Sequence, residues 1–283
     1  MRINLDGLGL TETPEHVWDT ENLLELSLYN NRINTIPDRL FQHTEIEVLN
    51  YAGNEIEILP SLIGRLAHLR MLDLGHNRLE QLPKEIGQLS SLDTFLYLSN
   101  NRFTNLPAEL CNLTSLRYLN VTDNQLWELP AELGNLKSLI ELRLYYNKLE
   151  SLPESLTELS HLRELHVYGN LLTYLPQGLG HLTELRILDC NNNRINELPH
   201  SIQGIKKLRK LSLRTNSLTH LPSEIGALTN LIELDLRDND ISEIPESILE
   251  LEHLEKLDLR WNNNLISTSC LTTLEQRGCV VYK

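Results

Sequence analysis

The 283-residue chain has two methionines, three phenylalanines and four cysteines, and aromatic residues make up only 5% of it. No apolar run approaches the 18 or more residues of a membrane-spanning helix. Positive charge is also short, with 25 Lys and Arg against 39 Asp and Glu, a formal charge of −14. Nucleic acid and anionic membrane surfaces both select clustered positive charge, so neither is expected as the main partner. Cys111, Cys190, Cys270 and Cys279 form no C-x-x-C pair and no cluster at either end. Met1-Arg2 leads directly into INLDGLGL, without the apolar core of a signal peptide. A Gly-rich phosphate loop, H-E-x-x-H, G-x-S-x-G and a kinase signature are all missing, so no enzyme and no cofactor are expected.

Leucine, in contrast, occurs 64 times, and the eleven prolines stand at 14, 37, 60, 83, 107, 130, 153, 176, 199, 222 and 245. Nine of the ten intervals are 23 residues and one is 24. A fixed period of this size marks a stack of repeats rather than a single compact core. Aligned on proline, the unit reads L-x-x-L-x-L-x-x-N-x-L-x-x-L-P-x-x-I/L-G-x-L-x-x, clearest in LRMLDLGHNRLEQLPKEIGQLSS at residues 69–91.

Within each unit the L-x-L alternation has the period of a strand with one buried face. Leu72 and Leu74 are expected inward, and Met71, Asp73 and Gly75 outward. An asparagine column (Asn31, Asn54, Asn77, Asn101, Asn124, Asn147, Asn170, Asn193, Asn216, Asn239 and Asn262) follows the strands. Its role is structural, because backbone groups must be satisfied where the chain leaves a sheet. Each proline pre-sets φ for a short return segment, expected as 3₁₀ or single-turn helix.

These motifs resemble the leucine-rich repeat family, and the L-P-x-x-I-G-x-L half is similar to its Ras-group and bacterial type. The resemblance covers about residues 1–265 and implies an α/β fold. That fold is a right-handed solenoid (horseshoe) with a parallel sheet of about twelve short strands on the concave face. Short 3₁₀ or helical turns take the convex face, and the asparagines form a hydrogen-bonded ladder. One domain, 1–283, is expected: a partial N-terminal repeat at 1–22, ten full repeats at 23–253, and a last strand with a C-terminal cap at 254–283. Extracellular members usually close their ends with disulfides, so the chain is expected to be cytoplasmic, or delivered into a host cell without a cleaved signal peptide.

Several positions depart from the repeat. Leu8 replaces the first asparagine, and the opening strand is an exposed edge, guarded by Arg2 and Asp6 or continued by preceding chain. One extra residue sits near Asp93–Thr94, as a bulge or a tolerated insertion. Thr268 stands where a proline is due; SCLTTLEQR before Gly278 reads as a short capping helix, and CVVYK as one further strand. Cys270 and Cys279 are near enough in sequence for that last turn to bring them together, with their pairing left open. Cys190 takes an inward leucine position, and Cys111, in place of a glycine, is expected to be partly exposed. His68, His161 and His253 share one register many repeats apart, so no metal site is expected.

The outward strand positions carry what chemistry there is. They hold Tyr29, Phe95, Tyr97, Tyr118, Tyr145, Tyr146, Tyr168 and Trp261, eight of the fifteen aromatics, with Arg143 and His166 among them. Tyrosine favours strands, yet exposed Tyr beside Arg is also the composition of interface hot spots. Arg214, Arg237 and Arg260 recur at one offset beside Asp235 and Asp258, as neutralised pairs or as a site for an acidic partner. The reading is a monomeric protein-binding scaffold with contact residues Phe95, Tyr97, Tyr118, Arg143, Tyr145, Tyr146, His166, Tyr168, Arg214, Arg237, Arg260 and Trp261. The alternatives are the substrate-recognition module of a larger signalling protein or bacterial effector of the ubiquitin-ligase type, or a glycan or small ligand on the tyrosine row.

Overall fold

A computed structural model describes residues 1–266 and 269–283; Thr268 lies outside the described residues. The chain divides into two compact units, Met1–Asn147 and Lys148–Lys283. The first carries β1 (Arg2–Asn4), β2 (Glu25–Ser27), β3 (Val48–Asn50), β4 (Met71–Asp73), β5 (Phe95–Tyr97), β6 (Tyr118–Asn120) and β7 (Glu141–Arg143), all parallel and paired in chain order. The second carries β8 (Glu164–His166), β9 (Ile187–Asp189), β10 (Lys210–Ser212), β11 (Glu233–Asp235), β12 (Lys256–Asp258) and β13 (Val280–Tyr282), again parallel and in order. This is a leucine-rich-repeat solenoid, with thirteen strands among the described residues where the repeat count gives about twelve. The thirteenth is CVVYK, packed with α1 (Ser269–Gln276) as the cap.

Three-residue strands follow directly from the repeat, because only the L-x-L core alternates. Leu72 and Leu74 are fully buried, as are their equivalents Leu96, Leu142, Leu165 and Leu211. Gly75 is on the outward side but covered, since a Cβ there would sit 3.1 Å from the Ser99 hydroxyl. Each proline precedes a 3₁₀ segment; Pro83, at φ −68° and ψ 147°, opens Lys84–Gln88. These segments stack so tightly that a Cβ on Gly87 would lie 2.2 Å from the Glu109 carbonyl oxygen, which requires glycine at that position.

From Asn31 onward the asparagine ladder satisfies the backbone where the chain leaves the sheet. Asn124 donates to the Leu98 and Val121 carbonyls at 3.0 and 3.2 Å and accepts the Phe103 N–H at 3.0 Å. Asn239 repeats the arrangement with Leu213, Leu236 and the Leu218 N–H. At the open edge, Asp6 accepts the Tyr29 N–H at 2.9 Å and also the Ser27 hydroxyl, so the side chain anchors β1 to its neighbour. The extra residue is absorbed before β5: Asp93 binds the Arg70 guanidinium at 3.0 and 3.1 Å, and pairing resumes with Met71 opposite Phe95. Cys111 is buried, as are the other three cysteines, because its side chain fills the tight space between return segments. No helix of the described residues is long and apolar enough to cross a membrane.

Candidate functional site

In the first unit, strands β5, β6 and β7 bring together the aromatic residues singled out by the sequence. Equal register sets Phe95 beside Tyr118 and Tyr97 beside Asn120. The rings of Phe95, Tyr97 and Tyr118 form a closed triad with centroids 5.0–5.6 Å apart, one pair stacked and the others tilted or edge-on. Such geometries add about 0.5–1.5 kcal/mol per pair beyond area burial. One strand further, the Arg143 guanidinium lies 5.6 Å from the Tyr118 ring centre and is hydrogen-bonded to Glu141. Tyr145 and Tyr146 meet edge to face at 6.0 Å.

The electrostatics of this cluster are those of a partly desolvated surface. Burial pushes the Tyr118 phenol up to about 12, and it raises Tyr97 as well, helped by the charge on Asp73. Burial works against the charge on Arg143, yet Glu141, Tyr118 and Tyr145 hold the guanidinium above its ordinary value. Both phenols are therefore neutral hydrogen-bonding groups and the arginine is a fixed cation at neutral pH. The cluster offers aromatic faces, hydroxyls and one oriented positive charge.

In the second unit, the arginine column is differentiated. Arg237 grips Asp235 with both nitrogens and reaches Asp258 at 3.5 Å. Arg260 grips Asp258 at 2.7 and 2.9 Å, and the Asp258 side chain is only 1% exposed. These two are neutralised pairs. Arg214 is exposed and rests over the Trp261 ring at 5.6 Å, while Arg260 lies between Trp261 at 5.7 Å and Tyr282 at 4.9 Å. His166 binds Glu164 at 3.2 Å, and Tyr168 stands two residues beyond it.

The profile described as the leucine-rich repeat region matches residues 60–168, 108–192 and 200–280, and further leucine-rich-repeat profiles match 21–79 and 184–205. The chain belongs to the leucine-rich repeat family. No curated protein matches it. Among solved structures it is similar to a leucine-rich-repeat protein of Leptospira interrogans, at 27% identity and TM-score 0.70, covering 99% of this chain and 95% of that one. A TDR receptor is 29% identical at TM-score 0.83, covering 93% of this chain and 47% of the receptor. The leucine-rich-repeat ectodomain of the plant membrane receptor kinase GASSHO1/SCHENGEN3 from Arabidopsis thaliana, in complex with CASPARIAN STRIP INTEGRITY FACTOR 2, is 29% identical at TM-score 0.54, covering 88% of this chain and 37% of that one. The chain thus spans less than half the length of these two receptors.

Two features of this leucine-rich-repeat surface escape a reading by residue type. Tyr282 completes the sandwich around Arg260; the signal was its place opposite Asp258 if CVVYK pairs as a strand. The residue before each ladder asparagine takes the left-handed backbone region, filled by Asn30, Gly53, Asn100, Asp123, Gly169, Asn192 and Asp238 at most units. His76 (φ 53°), Tyr146 (φ 55°), Thr215 (φ 55°) and Trp261 (φ 65°) occupy the same place. Bulky side chains are costly there, and such strain concentrates at functional positions.

Proposed function

We propose that the chain is a non-enzymatic scaffold that binds a partner protein on the exposed face of its strands. The observation that carries this reading is the aromatic triad with the oriented Arg143 cation on that face. Tyr, Trp and Arg are the residues that dominate protein interfaces, and rigid strands lose little entropy on binding. The contact set in the first unit is Phe95, Tyr97, Tyr118, Arg143, Tyr145 and Tyr146. In the second unit it is His166, Tyr168, Arg214, Arg237, Arg260 and Trp261. The Arabidopsis relative in complex with its factor supports a protein as partner class.

The repeat register, with one inserted residue near Asp93–Thr94, supports one domain over 1–283 of the L-P-x-x-I-G-x-L type, and the lack of cysteine clusters at its ends supports a cytoplasmic location. The acidic balance supports a partner that is neither nucleic acid nor membrane. Affinity capture comparing the wild type with Arg143→Ala/Tyr145→Ala/Tyr146→Ala tests the reading. Loss of specific partners by a folded variant is expected, and identical partner sets refute it.

A further inference from the structure

The residue just ahead of each strand forms a second column, on the lateral side where the chain enters the sheet. Across the second unit it reads Arg163, Arg186, Arg209, Ile232 and Glu255. Backbone bonds run from the Arg209 N–H to the Arg186 carbonyl at 2.9 Å and from the Arg186 N–H to the Arg163 carbonyl at 2.8 Å. Three arginines therefore stack on successive strands, about 4.8 Å apart. All three are exposed. Like charges placed side by side on neighbouring strands are unfavourable, and a chain with 39 acidic residues has ample means to interleave them.

Elsewhere it does so. At the same offset in the first unit, Arg70 is held by Asp93 at 3.0 Å. Around Arg186 and Arg209, by contrast, more cations converge. Arg186, Lys207, Arg209 and Arg277 line one open pocket together with Asn230, and only Glu252 and Glu255 oppose them in its wall. Of the four cations, among the described residues, only Lys207 lies within ion-pair distance of a carboxylate, Glu184, whose charge also reaches Arg186. Arg277 reaches in from beyond α1 and is tied to the Leu249 carbonyl, which orients it.

We propose that this pocket is an anion site for a ligand carrying more than one phosphoryl group. Guanidinium groups bind phosphate oxygens in pairs through their planar forks, and a stack at strand spacing offers several such forks to one compact polyanion. The site lies at the entry side of the strands and uses none of the aromatic contact residues, so it stands apart from the protein-binding reading. Its attraction is between exposed charges and weakens with salt.

The test is isothermal titration of the full chain with sodium tripolyphosphate at low ionic strength, alongside flotation with phosphatidylcholine vesicles with and without phosphatidylinositol bisphosphate. Saturable one-to-one binding is expected, weakened about tenfold or more in Arg186→Gln/Arg209→Gln, given the strength of charge-assisted hydrogen bonds. Arg70→Gln/Arg117→Gln, which removes equal charge elsewhere, is expected to bind as the wild type does. Vesicle capture that exceeds tripolyphosphate binding assigns the phosphoryl groups to a lipid headgroup; the reverse assigns them to a free ligand. Absence of saturable binding to either probe overturns the proposal. So does equal binding by Arg186→Gln/Arg209→Gln with its melting curve unchanged, or an equal loss in the Arg70/Arg117 variant.

Discussion

Replacing Tyr146 by Asn tests whether the exposed aromatics are kept at the expense of stability. Tyr146 sits at φ 55°, a position that seven of the other ten repeats fill with Asn, Asp or Gly. Holding a residue with a Cβ in that region costs about 1–2 kcal/mol, and asparagine relieves much of this through its local hydrogen bonding. Against the gain stands the edge-to-face contact with Tyr145, which is discounted because the Tyr146 side chain is 49% exposed. The net expectation is a stabilisation of about 0.5–1 kcal/mol, or roughly 1–3 °C in a melt of a chain this long. Urea unfolding followed by circular dichroism measures it, with Gly169→Ala at the same offset as the opposite control, expected to lose about 1 kcal/mol. The same Tyr146→Asn variant should lose partner binding. A destabilisation beyond about 1 kcal/mol would refute the argument, because Tyr146 would then be a structural residue.

Asn124→Ala removes the bonds donated to the Leu98, Val121 and Thr122 carbonyls and leaves the Phe103 N–H unpaired, so urea titration should show a loss of about 2–4 kcal/mol. Burial works to raise Asp258, but the hydrogen bonds from Arg260 and the charges of Arg237 and Arg260 prevail and hold it below its ordinary value. Its contribution is therefore complete above the unfolded carboxylate value of about 4 and lost as pH falls through the lowered native value. Asp258→Asn should flatten the acid limb of the stability profile and cost about 2 kcal/mol at pH 7. Asp189 is raised by burial, so it acts with the opposite sign: its contribution is lost as pH rises through the native value, and Asp189→Asn should be neutral or stabilising at pH 7. Burial pushes the Cys111 thiol up to about 12, and Cys190 also rises by burial. Alkylation with iodoacetamide at pH 8 should therefore proceed at both only as fast as the chain unfolds, which mass spectrometry of the modified peptides reads directly.

The solenoid was legible because its determinants are residue types at fixed spacing. Leucines report the buried face, prolines the return segments, and asparagines the ladder. The aromatic cluster was legible for the same reason, since equal register turns a column in the alignment into neighbours in the sheet. Less could be read where geometry, not type, decides. Nothing in the letter of Tyr146 or Thr215 announces a left-handed backbone; only the Gly, Asn and Asp around them in the column do. Cys111 looked exposed because glycine in that column suggested open space, when glycine is there for close approach. Arg214, Arg237 and Arg260 share an offset, but which of them is neutralised depends on side-chain reach: Asp235 and Asp258 close on the last two.

The asparagine ladder has a consequence for how such a surface changes over time. Because every unit presents the same leucines, asparagine and proline to its neighbours, a whole 23-residue block is an interchangeable tile. Exchanging residues 185–207 with 208–230 would keep the inward apolar positions and the ladder asparagine filled by like residues, at the cost of setting Gln203 where Gly226 leaves no room for a Cβ. It would also carry Arg214 one strand away from Trp261. The interior is a common thread and the exposed columns are the variable text, so recognition can be rewritten by shuffling blocks without relearning how to fold.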